Sequence, residues 1–124
     1  MKRDIETEAD IILLVDTFYD KVNQDELLSP VFNNFAQVNW QTHLPVMYNF
    51  WNTVLLGKMA YRGQPFPKHL RLPIEVKHFD RWISLFSHTI DTLFEGDKAI
   101  EAKQKATSIA RVFQIKMKLF NAVA

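Results

Sequence analysis

Cysteine is absent from all 124 residues, which removes disulfides, thiolate metal ligands and cysteine nucleophiles together. Any transition metal must then rely on histidine and carboxylate side chains. Neither sign of charge is in excess: 15 Lys plus Arg stand against 14 Asp plus Glu, a net charge of +1. Such a chain lacks the long-range field that draws polyanions, so no nucleic-acid partner is expected. Long hydrophobic runs are missing as well. No stretch approaches the roughly 18 apolar residues of a membrane span, and acids interrupt the opening Met1-Lys-Arg-Asp-Ile-Glu-Thr-Glu8. The expectation is a cytoplasmic protein with no membrane partner. There is no internal repeat, low-complexity segment or linker. One domain over 1–124 is expected, a length that buries roughly two thirds of the surface of the unfolded chain.

Glycine occurs only three times, and apolar residues recur three or four apart instead of alternating, which predicts an all-helical fold. Thr7 is placed to cap a first helix, with Asp10 completing a capping-box pair and a buried stripe of Ile11, Val15, Phe18 and Val22, widened by Ile12 and Tyr19. Ser29-Pro30 reads as an N-cap followed by proline at the first helical position, opening one short turn through Val31 and Phe32. A second helix carries Trp40, Leu44, Met47, Phe50, Trp51, Val54 and Leu55, and Gly57 is placed to end it. Within it, Pro45 has no amide proton for the Gln41 carbonyl, so the helix either starts late or bends beside His43. After Pro73 a third stripe runs Val76, Phe79, Trp82/Ile83, Phe86, Ile90 and Leu93, with Gly96 at its end. Asp97 can cap a last helix bearing Ala106, Ile109/Ala110, Phe113, Met117 and Phe120.

The segment Gly63-Gln-Pro-Phe-Pro-Lys-His69-Leu-Arg-Leu-Pro73 resists long regular structure and holds His69 between two amphipathic helices. An isolated histidine in such a loop is ordinarily a surface or capping residue. Here it accompanies Phe18-Tyr19 and His43 before it and Trp82 after it. Helical stripes alone speak only of core packing, and no single motif decides the function. Taken together, Phe18-Tyr19, the Pro30-Val-Phe-Asn-Asn34 turn, His43-Leu-Pro-Val-Met-Tyr-Asn-Phe-Trp51, Gly63-Gln-Pro-Phe-Pro-Lys-His69-Leu and the aromatic helix around Trp82 give a chain that resembles the truncated hemoglobins of the third group, from Ile11 to about Phe113. The first globin helix is nearly absent, and so are the paired glycines typical of the other truncated groups.

That resemblance implies a shortened globin fold, two helices crossing over two, with heme b between the helix of His43 and the segment of His69. It assigns His69 as the iron ligand. Neutral imidazole suits iron, and a loop supplies carbonyls to fix its tautomer. Tyr19 and Trp82 are implied as donors to a diatomic ligand such as oxygen or nitric oxide, each of them otherwise an ordinary packing residue. His43 is open to three roles, as ligand donor, proton shuttle or gate, beside that of a half-exposed histidine near a helix start. Phe18, Phe32, Met47, Phe50 and Trp51 serve as cavity wall or as core. Lys68 is placed to meet a heme propionate, Tyr61 or Arg62 to add polar contacts, and Leu72 to touch the cofactor.

His78, four residues before Trp82 and on its face, is the rival ligand, read here as a residue opening its helix. His88 reads as solvated. A zinc site from His43, His69, His78 and His88 lacks both a His-Glu-x-x-His motif and a cysteine pair. The functional classes are redox chemistry, meaning nitric oxide dioxygenation or peroxide activation with a reductase partner; reversible oxygen carriage, storage or sensing; and a cofactor-free helical interaction module.

Overall fold

The computed structural model describes residues 2–58 and 74–123, with side chains through Met117. The described residues form four α-helices, α1 (Glu8–Gln24), α2 (Trp40–Leu56), α3 (Val76–Leu93) and α4 (Asp97–Val123), with one π-helical turn, Val31–Phe35, between α1 and α2 and no strand. Polar contacts fix how the helices pair. Tyr48 donates to Asp16, and Lys58 Nζ reaches Glu8 Oε1 at 2.6 Å, so α2 runs antiparallel to α1. Arg111 meets Asp80 at 3.0 Å and Lys103 meets Asp91 at 2.6 Å, so α4 runs antiparallel to α3. Packing of α1 on α3 closes the two pairs into a two-over-two sandwich.

Local signals form α1 and end α2 as the sequence predicts. Thr7 accepts from the Asp10 amide at 3.3 Å, and Asp10 Oδ2 accepts in return from the Thr7 amide at 3.0 Å. Gly57 closes α2 at φ 69°, in the left-handed region that glycine enters freely. The start of α2 is set by Asn39, whose side chain accepts from the Gln41 and Thr42 amides. Pro45 is accommodated inside a continuous helix. Because α2 already begins at Trp40, Pro45 lies in its second turn, and the helix does not start late.

Three expectations are corrected. Ser29 is no cap: Asp25 Oδ2 accepts from the Leu27 and Leu28 amides instead, and Ser29 Oγ accepts from Asn33 Nδ2. Ile12 and Val76 face outward, 42% and 55% exposed, while Leu14 takes the inward position on α1. Asp97 does not cap α4. That task falls to Asp4, whose carboxylate accepts from the Lys98 and Ala99 amides at 2.9 Å each and from the Ile5 amide at 2.8 Å. Gly96 lets the carboxylate approach, since a Cβ there would lie 2.6 Å from Asp4 Cγ. The adjoining segment is tied down by Arg3, which forks onto Asp10, and by the Glu95 amide donating to the Arg3 carbonyl at 3.1 Å.

Burial alone would push the Asp4 and Asp10 carboxyls up, but the amide bonds to Asp4, and Arg3 with the amides at Asp10, outweigh it and hold both below the ordinary 3.8. A depressed carboxyl stabilises the fold fully above its unfolded value and loses that contribution as pH falls through the folded value. Asp4→Ala is therefore expected to cost about 0.5–2 kcal/mol in urea unfolding at neutral pH, with the gap to wild type narrowing as the pH is taken below 3.8.

Candidate functional site

The aromatic residues of α1, α2 and α3 meet in the middle of the sandwich. Phe86, wholly buried, stacks between Trp51 (ring centroids 4.9 Å apart, planes at 22°) and Trp82 (5.5 Å, 9°). Phe18 meets the same group edge-on, 5.1 Å from Phe86 and 5.5 Å from Trp82, and also touches Tyr19 at 4.8 Å. Offset stacks and edge contacts of this kind add roughly 0.5–1.5 kcal/mol per pair beyond area burial. The result is a rigid bed on which Tyr19 and Trp82 both rest.

Above this bed lies a cavity of about 360 Å³. Its wall is mostly apolar: Phe32 and Val38 at one end, Met47, Phe50 and Trp51 from α2, Ile74 and Phe79 at the start of α3, and Ile109 and Phe113 from α4. Polar side chains enter through Tyr19, His43, His78 and Trp82. The structure thus brings Tyr19, His43, Trp82, Phe32, Met47, Phe50 and Trp51 to one cavity. Phe18 is placed differently. It is 1% exposed and absent from the wall, because its ring is wedged behind Tyr19 and Trp82. His69, Tyr61, Arg62, Lys68 and Leu72 lie outside the described residues.

Tyr19 is buried, which pushes its phenol pKa above the ordinary 10.0 and keeps it a neutral donor. Its ring lies 5.6 Å from that of His43, edge to face, and His43 Nε2 is shut off from solvent. Among the described residues no group accepts from the Tyr19 hydroxyl or the Trp82 indole N–H. His78 is already engaged: its Nδ1 accepts from the Glu75 amide at 2.9 Å, so a neutral ring carries its proton on Nε2 and offers no lone pair there. His88 is exposed, and no cluster of three or more His, Asp or Glu suited to a metal occurs among the described residues. Sequence reading missed Ile74, Phe79, Ile109 and Phe113 as wall residues; Ile74 precedes α3 and fell in no stripe, while the stripes of the other three pointed inward, and only the packing of α3 on α4 tells which inward residues border open space.

A flat aromatic bed, an apolar slot and a few polar donors on one side define a shortened globin, and the chain belongs to the bacterial-like globin family, which matches residues 4–120. It is similar to the group 3 truncated hemoglobin ctb of Campylobacter jejuni subsp. jejuni serotype O:2, 35% identical over 118 residues that cover 92% of this chain and 93% of that one. The crystal structure of the group III truncated hemoglobin from Campylobacter jejuni superposes with a TM-score of 0.85 at 34% identity, covering 94% of this chain and 95% of the other. Family membership carries the coarse function of globins, the binding of diatomic ligands at heme iron. The cavity suits that group: its apolar walls match a porphyrin, and among the described residues no Asp, Glu, Lys or Arg lines it. No helix among the described residues is long and apolar enough to cross a membrane.

Phe86→Ala is expected to cost about 3–5 kcal/mol in equilibrium unfolding. Because the cavity wall rests on that ring, hemin affinity, read by titrating the Soret band, is expected to fall with it.

Proposed function

We propose that this single-domain chain holds heme b, without covalent attachment, with His69 as the iron's protein ligand, and that it works in the cytoplasm as a redox protein, oxidising nitric oxide with oxygen or activating peroxide. The observation that carries the reading is the meeting of Tyr19, His43 and Trp82 at one mostly apolar cavity. The sequence has no cysteine for thioether attachment. His69 is supported by the resemblance and by Ile74, five residues further on, which already borders the cavity. His78 is disfavoured because its Nδ1 serves the backbone at Glu75. When bound, the heme supplies an iron at which a diatomic ligand or peroxide is held and undergoes electron transfer.

The chain's own residues do the rest. Tyr19 and Trp82 hold one proton each, on Oη and Nε1, for a ligand that gathers negative charge, and donors fixed in advance favour such a ligand over neutral carbon monoxide. Burial keeps the Tyr19 proton in place through the pH range in which a solvated phenol would begin to ionise. His43 supplies an imidazole able to give or take a proton beside Tyr19. Met47, Phe50 and Phe113 exclude water. Lys68 is placed by sequence to pair with a propionate, with Tyr61, Arg62 and Leu72 alongside. The gathering of Tyr19, His43 and Trp82 at one cavity is the support for preferring turnover with an external reductase to reversible carriage.

Hemin added to purified protein is expected to give a globin spectrum. His69→Ala abolishes the normal axial ligation, whereas His78→Ala preserves it and costs only about 0.5–2 kcal/mol of helix capping; the reverse result overturns the ligand assignment.

Tyr19→Phe and Trp82→Phe are each expected to speed oxygen dissociation roughly five- to thirty-fold, the equivalent of one hydrogen bond of about 1–2 kcal/mol. In a stopped-flow assay the oxygenated protein with a reductant should consume nitric oxide over many turnovers. Consumption that stops after one equivalent would favour carriage or sensing.

A further inference from the structure

Behind the cavity wall lies a hydrogen-bonded unit that the reading above does not use. The Asn33 side-chain amide is occupied at both ends. Its Nδ2 donates to Asn23 Oδ1 on α1 at 2.9 Å and to the Ser29 carbonyl and Oγ at 3.1 Å each, while its Oδ1 accepts from Trp40 Nε1 on α2 at 2.9 Å. One short side chain thereby joins α1, the π-helical turn and α2. The Trp40 indole held at its far end contacts three rings of the cavity wall. It stacks on Phe32 (5.9 Å, 29°), leans on Tyr19 (5.2 Å, 52°) and meets His43 edge-on (5.6 Å, 80°). Neither Asn33 nor Trp40 borders the cavity. Tyr19, Trp40 and His43 form a triangle of rings with sides of 5.2, 5.6 and 5.6 Å, and the Asn33 bond fixes the orientation of Trp40 from outside that triangle.

We propose that the Asn33–Trp40 pair is a positioning latch that fixes the ring orientation of His43 and Tyr19, and so sets how tightly a polar diatomic ligand is retained. The inference rests on the reading of Tyr19 and His43 as ligand donors. An indole can slide on an apolar neighbour at little cost, whereas an N–H bonded to a tethered amide has one preferred setting. An imidazole packed against the indole edge inherits that setting. Retention is exposed to this because a donor that spends part of its time rotated away contributes only for the remainder.

Two variants separate the bond from the bulk. Trp40→Phe keeps an aromatic ring and removes the N–H, and Asn33→Leu keeps the size and removes both ends of the tether. Each is studied as the hemin-loaded, reduced protein. In the carbon monoxide form, the His43 ring-proton resonances are expected to shift and broaden or split as the ring samples a second orientation. Oxygen dissociation should rise about two- to tenfold, the span of one hydrogen bond of roughly 0.5–1.5 kcal/mol. A structural role alone lowers the melting temperature and leaves the His43 resonances as in wild type, which overturns the latch, as does oxygen release within about twofold of wild type in variants of a protein whose release does respond to Tyr19→Phe. If the His43 resonances move while oxygen release ignores Tyr19→Phe, the orientation claim stands and the donor reading is the part that fails.

Discussion

The stack of Trp51, Phe86 and Trp82 is the constraint from which the site follows. It draws one ring from α2 and two from α3, and Phe18 of α1 closes it edge-on, so three helices meet at a single aromatic joint. Such a joint fixes helix spacing and rotation more narrowly than aliphatic contacts would, because each plane tolerates few neighbours at van der Waals distance. Open space above it is therefore stable. Two of the three stacked rings, Trp51 and Trp82, form both the top of the core and the wall of the cavity, so packing and ligand chemistry share side chains.

A globin must leave a slot in its core without collapse, and here polar pairs between helices carry part of that burden. The α1–α2 pair is pinned by Asp16–Tyr48 and Glu8–Lys58, and the α3–α4 pair by Asp80–Arg111 and Asp91–Lys103. The three ion pairs among these, all at the surface, add little stability. Their value is in register, since each sets which turn of one helix faces which turn of its neighbour. Burial and Asp16 together raise the Tyr48 pKa to about 12, so this interhelical bond keeps its proton throughout the physiological range.

What was legible in the sequence was what short-range chemistry decides. The Thr7–Asp10 box, the Gly57 stop, the inward stripe of α2 and that of α4 as far as Met117 depend on residues within one or two turns of each other, while the Phe120 side chain lies outside the described residues. The polar trio of Tyr19, His43 and Trp82 emerged from motif resemblance, with no spacing rule able to bring positions so far apart to one cavity. Asp97 looked as good a cap as any, but Asp4 arrives from the other end of the chain, and no local pattern announces a partner 94 residues away. Ser29 was passed over for a local reason: Asp25 accepts from the Leu27 and Leu28 amides ahead of it, leaving the Ser29 hydroxyl to Asn33. Ile12 and Leu14 are both apolar and two apart, so only the angle at which α1 meets its neighbours chooses between them. Phe18 was legible as buried; whether it bordered the slot or backed it depended on the rings in front.

Gly96 and Asp4 illustrate how history can become locked into such a molecule. The carboxylate occupies the volume that a side chain at position 96 would need, and the backbone there sits at φ 134°, where L-residues are strained. Position 96 cannot drift on its own: a larger residue there displaces the carboxylate before it does anything else, and loss of the carboxylate removes the steric reason, though not the torsional one, for keeping glycine. In descendants of this sequence the two positions are expected to change in a fixed order, the acid first and the glycine afterwards.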